Sequence, residues 1–472
     1  MFVSASECLE YICNNDVAMV DLKVVGVRGR WLHITLPARR VSETLFHDGV
    51  GYDGSSGAGF RSVEDGDVAA VPEPQTAFID PFFDLPTLSL LCRTVRADTK
   101  DPFPSDPRTI AQRAVAHMRQ GGIADVAWMA PEYEFYVFDR VKVVNERYRM
   151  AVEIDAPEVS NSGTATTVQP MQGYLCAPPT EQLHDIRNEI TSLLEQMGVA
   201  VRYHHHEVGA CGQCEIEVEG ADLVTAADRA MLVKYVAKNV ARRHQKLATF
   251  MPKPVYGEAG SGMHVHQKLD RAGKPLFHEA GDRRYANLSD TALHYVAGLL
   301  EHGRALTGLT NPSTNSFKRL IPGFEAPVNL FFSLANRSAA IRVPRYATAP
   351  QEKRIEYRPA DFSCNVYLAL AAMLMAGIDG IVSKIDVAKN HFGPFDVDLA
   401  KQGQEFVDSV TPLPRSLGEA LDALDADHTF LTRGEVFAES FLRAWIDTVR
   451  RHETVELARR PHPYEYHLYL DA

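Results

Sequence analysis

A chain of 472 residues with 45% hydrophobic and 23% charged side chains has the balance of a globular protein, and it exceeds the usual size of one domain. Its 49 Lys and Arg against 61 Asp and Glu leave a net charge of −12, which argues against a nucleic-acid or anionic-membrane surface. Seven cysteines (Cys8, Cys13, Cys92, Cys176, Cys211, Cys214, Cys364) are too few and too odd in number for a disulfide scaffold, and they point to reduced thiols in the cytoplasm.

The N-terminus carries acids early and lacks a basic segment followed by an apolar one, so no signal peptide is expected. Three stretches, Val17–Val27, Arg30–Pro37 and Thr87–Val95, are rich in branched and aromatic residues and read as short strands. A Pro- and Asp-dense segment, Asp98–Thr109, predicts a boundary with a helix starting at its end, over Thr109–Gly122. Strands and helices then alternate. Ala127–Phe138, Ala200–Val208, Gly212–Gly220 and Gly260–Leu269 read as strands, and Thr180–Gly198 and Ala227–Gln245 as helices. Val366–Ile378 is the longest apolar run, too short for a bilayer, and predicts a buried helix. The fold class expected is α+β with a largely antiparallel catalytic sheet, over residues 1–104 and 105–472 as two domains.

Glu132 and Glu134 lie at i and i+2 on a predicted strand, so both leave the same face. Glu215 with Glu217, His264 with His266, and Glu356 with Arg358 repeat the pattern. Any one pair is compatible with a solvated strand face. Four pairs on four strands favour a shared cleft, because neighbouring acids repel unless a cation compensates them. Glu132, Glu134, Glu207, Glu215, Glu356, Asp53 and His264 could together hold two hard divalent cations. Cys211 and Cys214 form a lone CxxC beside His204–His206, which reads as two ordinary cysteines because no second zinc half-site is present. No P-loop, HExxH or GxGxxG motif occurs. The loop Thr310–Phe332, with Lys318, Arg319 and Glu325, is either a surface loop or a flap that excludes water from a reactive intermediate. Arg319, Arg337, Arg342 and Arg358 suit an anionic substrate and a transferring phosphoryl group.

The segments DGSS (Asp53–Ser56), PEYEF (Pro131–Phe135), HHHEV (His204–Val208), GQCE (Gly212–Glu215), ATFMPKP (Ala248–Pro254), GSGMH (Gly260–His264), NPSTNSFKRLIPGFEAP (Asn311–Pro327) and NRSAAIRVP (Asn336–Pro344) resemble, in order and spacing, those of glutamine synthetase of the bacterial type I class. The resemblance spans nearly the whole chain. It implies a small β-grasp-like N-terminal domain, a larger catalytic domain with a curved sheet, and a homododecamer with active sites between subunits. It implies two Mg²⁺ or Mn²⁺ per site, one held by Glu134, Glu207 and Glu215 and the other by Glu132, His264 and Glu356. Arg319 and Arg358 would take the carboxylates of glutamate, Gly260 would line the amino-acid pocket, and Arg337 and Arg342 would face the phosphoryl group. His266 and Arg354 would lie near ATP. Ammonium would bind among Tyr174, Glu207, Glu325 and, from an adjacent subunit, Asp53 and Ser56. Asp53 would take its proton and Glu325 would shield the acyl phosphate.

The sequence departs from the family pattern at several positions. Ala259 replaces an asparagine, Cys214 another asparagine, Phe60 a tryptophan, and Lys268 and Gln351 the serine and lysine expected near the nucleotide. Phe392 stands where the family carries an adenylylated tyrosine, so that modification is not expected. The runner-up function is a γ-glutamyl–amine ligase, motivated by Ala259 and Cys214. A catalytically silent oligomer is the third reading.

Overall fold

Alternating branched residues near the N-terminus build a six-stranded sheet. Its strands are β1 (Met19–Val25), β2 (Trp31–Pro37), β3 (Val50–Asp53), β4 (Asp67–Pro72), β5 (Phe78–Ile79) and β6 (Thr87–Arg96). They lie in the order β2-β1-β6-β4-β3, with β5 on β6, and β1 and β6 run parallel. The computed structural model describes residues 2–57, 66–159, 167–281, 284–397 and 399–472; Phe60 and the Ser56 side chain lie outside this description.

The second sheet has ten strands. Its main path is β10 (Val201–His206), β11 (Gln213–Val218), β7 (Val126–Phe138), β14 (Val265–Arg271), β18 (Ile355–Tyr357), β17 (Ile341–Val343) and β16 (Phe332–Leu334). The short strands β12 (Ala221–Asp222), β13 (Leu247–Thr249) and β15 (Lys274–Pro275) pair beside it, and β8 (Arg140–Glu146) and β9 (Arg149–Asp155) form a separate hairpin. Every neighbouring pair on the main path is antiparallel except β16 and β17. The strand expected from Gly260 starts only at Val265, and the helix expected from Thr180 spans His184–Gln196. In both cases the missing residues serve as close-packed or cap-side loop, which periodicity does not reveal.

Helices cover the back of this sheet. Helix Leu223–Arg243 is N-capped by Asp222, whose side chain accepts from the Thr225 amide. The helix predicted from the apolar run at Val366 continues past Ile378 to Ser383 and is capped likewise by Asn365. At 18 residues it is long and apolar enough to cross a membrane, yet 83% of it is buried inside the protein. Each of its large side chains contributes roughly 1.5–3 kcal/mol by leaving water. It crosses helix Asp290–Glu301 at Gly298 and Gly380, where a Cβ on Gly298 would stand 2.7 Å from the Gly380 amide nitrogen. Asn365 also donates to the carbonyls of Gly26 (3.2 Å) and Val27 (3.0 Å), which fixes the N-terminal sheet on the larger unit built around the ten-stranded sheet.

Candidate active site

Strand register gathers the site. On one face of the sheet His205 lies opposite Glu215, and Glu215 opposite Glu134. The next row sets Tyr203 opposite Glu217 and Glu217 opposite Glu132. A third sets His266 opposite Glu356 and Glu356 opposite Arg342. Because side chains alternate across a strand, rows two residues apart share a face, and cross-strand neighbours approach to roughly 5 Å. Apolar Tyr133, Phe135 and Ile216 take the other face and are fully buried.

The loop Gly260–His264 closes one wall. Glu134 accepts from the Gly262 amide (2.7 Å), and the Glu132 amide donates to the His264 carbonyl (2.8 Å). A Cβ at Gly260 would sit 2.6 Å from Arg319 Cγ and 2.7 Å from the Pro252 carbonyl, so only glycine permits this approach. The resulting cleft, of about 570 Å³, is lined by Glu132, Glu134, Glu207, Glu215, His264 and Glu356, by Tyr174, Gly260 and Glu325, and by Arg319, Arg337, Arg342 and Arg358.

One ligand atom from each of Glu132, His264 and Glu356 lies within 4.8 Å of the other two. His205, Glu207 and Glu215 form a second such set. The second set contains His205 where the sequence suggested Glu134, whose Oε1 instead stands 3.7 Å from His264 Nδ1. His205 Nε2 is 3.4 Å from Glu215 and its Nδ1 is 3.8 Å from Glu207. Strand alternation from Glu207 would have pointed to His205, but the triple histidine hid which ring faces inward.

The carboxylates divide by charge balance. Burial would raise Glu132, but His266 and His264 outweigh it and hold its carboxyl well below the usual range. Glu356 is lowered against the same burial by Arg358 and Arg342, both in direct contact with it. Glu215 goes the other way: burial raises it well above its ordinary value, and Glu132, Glu207 and Glu134 add to the effect. Glu134 is raised too, chiefly by burial, with His264 and Arg319 opposing. Several hard oxygen donors, crowded and short of positive charge, with imidazoles beside them, fit divalent cations of the Mg²⁺ or Mn²⁺ kind.

Other expected residues land differently. Asp53 ends β3 in the N-terminal sheet, where its carboxylate accepts from the Ser55 amide (2.8 Å) and hydroxyl (2.6 Å). It is absent from its own chain's cleft lining, which corrects the idea that one chain gathers it with the other six ligands. The reason is that β3 belongs to a different sheet. His266 is fully buried and gives Nε2 to Glu132 Oε1 at 2.8 Å, so it braces a carboxylate rather than facing open space. Arg354 lines a neighbouring depression of about 290 Å³ with Trp128, Arg202 and Lys268. Arg319 spends its guanidinium on the carbonyls of Pro359 (2.7 Å), Ala360 (3.2 Å) and Arg358 (3.1 Å), while Arg337 is exposed. Burial pushes Cys211 and Cys214 each up to about 12, so both remain protonated thiols.

Beneath the cleft, His206 lies between Glu158 (Nε2 to Oε2, 2.9 Å) and the Glu207 carbonyl (Nδ1, 2.6 Å). Both partners only accept, so the ring supports the Glu207 backbone by donating from both nitrogens. No pattern in the sequence singles out Glu158 as its partner, 48 residues away.

A glutamine synthetase β-grasp domain model matches residues 16–97, and a glutamine synthetase catalytic domain model matches residues 104–469. The glutamine synthetase of Frankia alni is 43% identical, covering 100% of both chains. That of Nostoc sp. is 43% identical, covering 98% of this chain and 99% of its own. Among solved structures, a Plasmodium falciparum glutamine synthetase superposes with a TM-score of 0.90 at 27% identity, over 99% of each chain. A GmaS structure with ADP superposes with a TM-score of 0.82 at 26% identity, over 98% of this chain and 99% of that one.

Proposed function

The chain belongs to the glutamine synthetase family, a family of ATP-dependent ligases, and we propose that it makes L-glutamine from L-glutamate, ammonia and ATP through γ-glutamyl phosphate. The observation that carries this reading is the meeting of the Glu132–His264–Glu356 set and the crowded Glu134, Glu207 and Glu215 carboxylates in one arginine-lined cleft.

A carboxylate is a poor acyl donor, so its oxygen first attacks the γ-phosphorus of ATP and ADP leaves. Divalent cations held by Glu132, His264 and Glu356, and by Glu207 and Glu215 with Glu134 or His205, would neutralise charge on the transferring phosphoryl group. Arg342 and Arg337 face the same space and stabilise the phosphoryl oxygens in the transition state. Arg319 is buried and bonded to the Pro359 and Arg358 carbonyls, and so fixes the amino-acid end of the cleft. Arg354 opens towards the nucleotide side.

Ammonium is then drawn to Tyr174, Glu207 and Glu325, with Asp53 and Ser56 supplied by an adjacent copy. Asp53 takes a proton, and the nitrogen lone pair attacks the acyl carbon while phosphate leaves. Glu325 on the loop above the cleft keeps water from the same carbon. The assembly proposed is a homododecamer. Its support is an exposed C-terminal segment with Tyr464, Tyr466, Tyr469 and Leu470 outward, together with an apolar groove of about 1160 Å³ beside the β8–β9 hairpin.

A second reading is a γ-glutamyl–amine ligase. It is favoured by Ala259, whose side chain offers no polar group and whose carbonyl is taken by the Tyr136 hydroxyl at 2.6 Å. Glutamate-dependent ADP release with ammonium, compared with a panel of small amines, decides between them. A strong preference for an amine removes the first reading, and no glutamate-dependent release removes both.

A further inference from the structure

Lys253 carries one of the few buried ammonium groups that the ligase chemistry does not use. Its backbone is clamped by Asn315, which accepts from the Lys253 amide (2.7 Å) and donates to its carbonyl (3.0 Å). The side chain donates to the Glu258 carbonyl and stands 3.6 Å from the centre of the Phe324 ring. Glu258 in turn accepts through Oε2 from the Met171 amide (3.2 Å) and the Ala210 amide (3.0 Å). A single turn of chain thus touches three loops around the cleft. These are the loop of Phe324 and Glu325, the loop of Tyr174, and the turn between Glu207 and Glu215.

Phe324 lies between Gly323, at φ +91°, and Glu325, at φ +54°. A left-handed backbone is strained for glutamate and persists only where its surroundings hold it. Two anchors do so. Arg358 Nη2 donates to the Glu325 carbonyl at 3.4 Å, and the Phe324 ring rests on the Lys253 ammonium. A desolvated cation against an aromatic face is held more strongly than an exposed one, and Lys253 is 9% exposed.

We infer that Lys253 is a positioning residue for amide formation: its cation–π contact with Phe324 latches the loop that holds Glu325 over the cleft. Its side chain meets Glu258 and Phe324 and is not part of the cleft lining. Glu258, through the same turn, keeps the latched loop in register with Tyr174 and Glu207. The inference rests on the γ-glutamyl phosphate reading, because a latch matters only if an intermediate must be kept from water.

The test compares Lys253→Met, which keeps the stem without the charge, with Lys253→Arg, which keeps a cation. Phe324→Leu removes the ring and serves alone if Lys253→Met does not fold. The expected result is that Lys253→Met and Phe324→Leu raise phosphate release without ammonium, relative to glutamine formation, by about tenfold, the scale of one desolvated cation–π contact. KM for ATP and glutamate should hold, Lys253→Arg should restore the ratio, and the double variant should add little beyond either single one. An unchanged ratio in Lys253→Met, or an arginine variant as leaky as the methionine one, overturns the inference. Amide hydrogen exchange over residues 321–327 separates the two ideas. Faster exchange in Lys253→Met supports the latch whatever the chemistry, whereas a wild-type protein without glutamate-dependent turnover refutes the ligase reading alone.

Discussion

Replacing Glu215 and Glu356 by glutamine is the same chemical change at two buried carboxylates, and the structure demands opposite signs. Without bound cations, Glu215 faces Glu132, Glu207 and Glu134, and its carboxyl is raised well above the ordinary value by burial and by those neighbours. Each pH unit of that elevation is worth about 1.4 kcal/mol against the folded state once the unfolded carboxyl is ionised. Glu215→Gln should therefore leave the metal-free protein at least as stable as wild type at pH 8. That advantage fades as pH falls towards the ordinary carboxyl value of 4.5, below which both states are protonated. Glu356 instead accepts from Arg342 and Arg358, which hold it low. Glu356→Gln strips two buried guanidiniums of their counter-charge and should cost about 3–5 kcal/mol. Calorimetric melting in EDTA and in Mn²⁺ reads both effects. Wild type should gain about 2.7 kcal/mol at Mn²⁺ a hundredfold above its dissociation constant, and Glu215→Gln should lose most of that gain. A Glu215→Gln variant that is destabilised in EDTA and still responds fully to Mn²⁺ would refute the electrostatic account.

Glu325→Ala should uncouple ATP hydrolysis from amide formation, since the carboxylate over the cleft is lost while the metal-ligating side chains stay; unchanged phosphate-to-glutamine stoichiometry argues against the flap assignment. Removing residues 459–472 takes away the exposed Tyr464, Tyr466, Tyr469 and Leu470 and should lower the mass in sedimentation velocity, whereas a truncated chain of unaltered mass rejects that segment as an assembly contact. His302 makes bonds to Asp379 (3.0 Å) and Asp427 (2.8 Å) that outweigh its burial and raise it to about 9 from 6.5. Its contribution, about 3 kcal/mol at most, is complete below pH 6.5 and lost as pH rises through 9, so a His302→Gln melting penalty should shrink between pH 6 and pH 10. A penalty independent of pH would show that only packing against Phe430 is lost.

The sequence alone determined several of the strands and helices that build the site and the strand faces that carry its acids. Period-two spacing sets Glu132 with Glu134, and Glu215 with Glu217, on one side of a strand because successive side chains must alternate. The apolar run from Val366 needed no partner to read as a buried helix. What spacing cannot carry is register, the choice of which strand lies beside which and with what offset. Only the tertiary structure set Glu217 opposite Glu132, and the Glu134–Glu215 and His266–Glu356 pairs in the flanking rows. It turned His205 inward among the carboxylates and folded His266 onto Glu132. It also left Asp53 on the other sheet, outside its own chain's cleft. A one-residue slip of β11 on β7 would keep every local pattern intact and turn its acids to the opposite face. That offset is fixed by long-range packing, such as Tyr133 and Ile216 in the core, and no local window of sequence contains it.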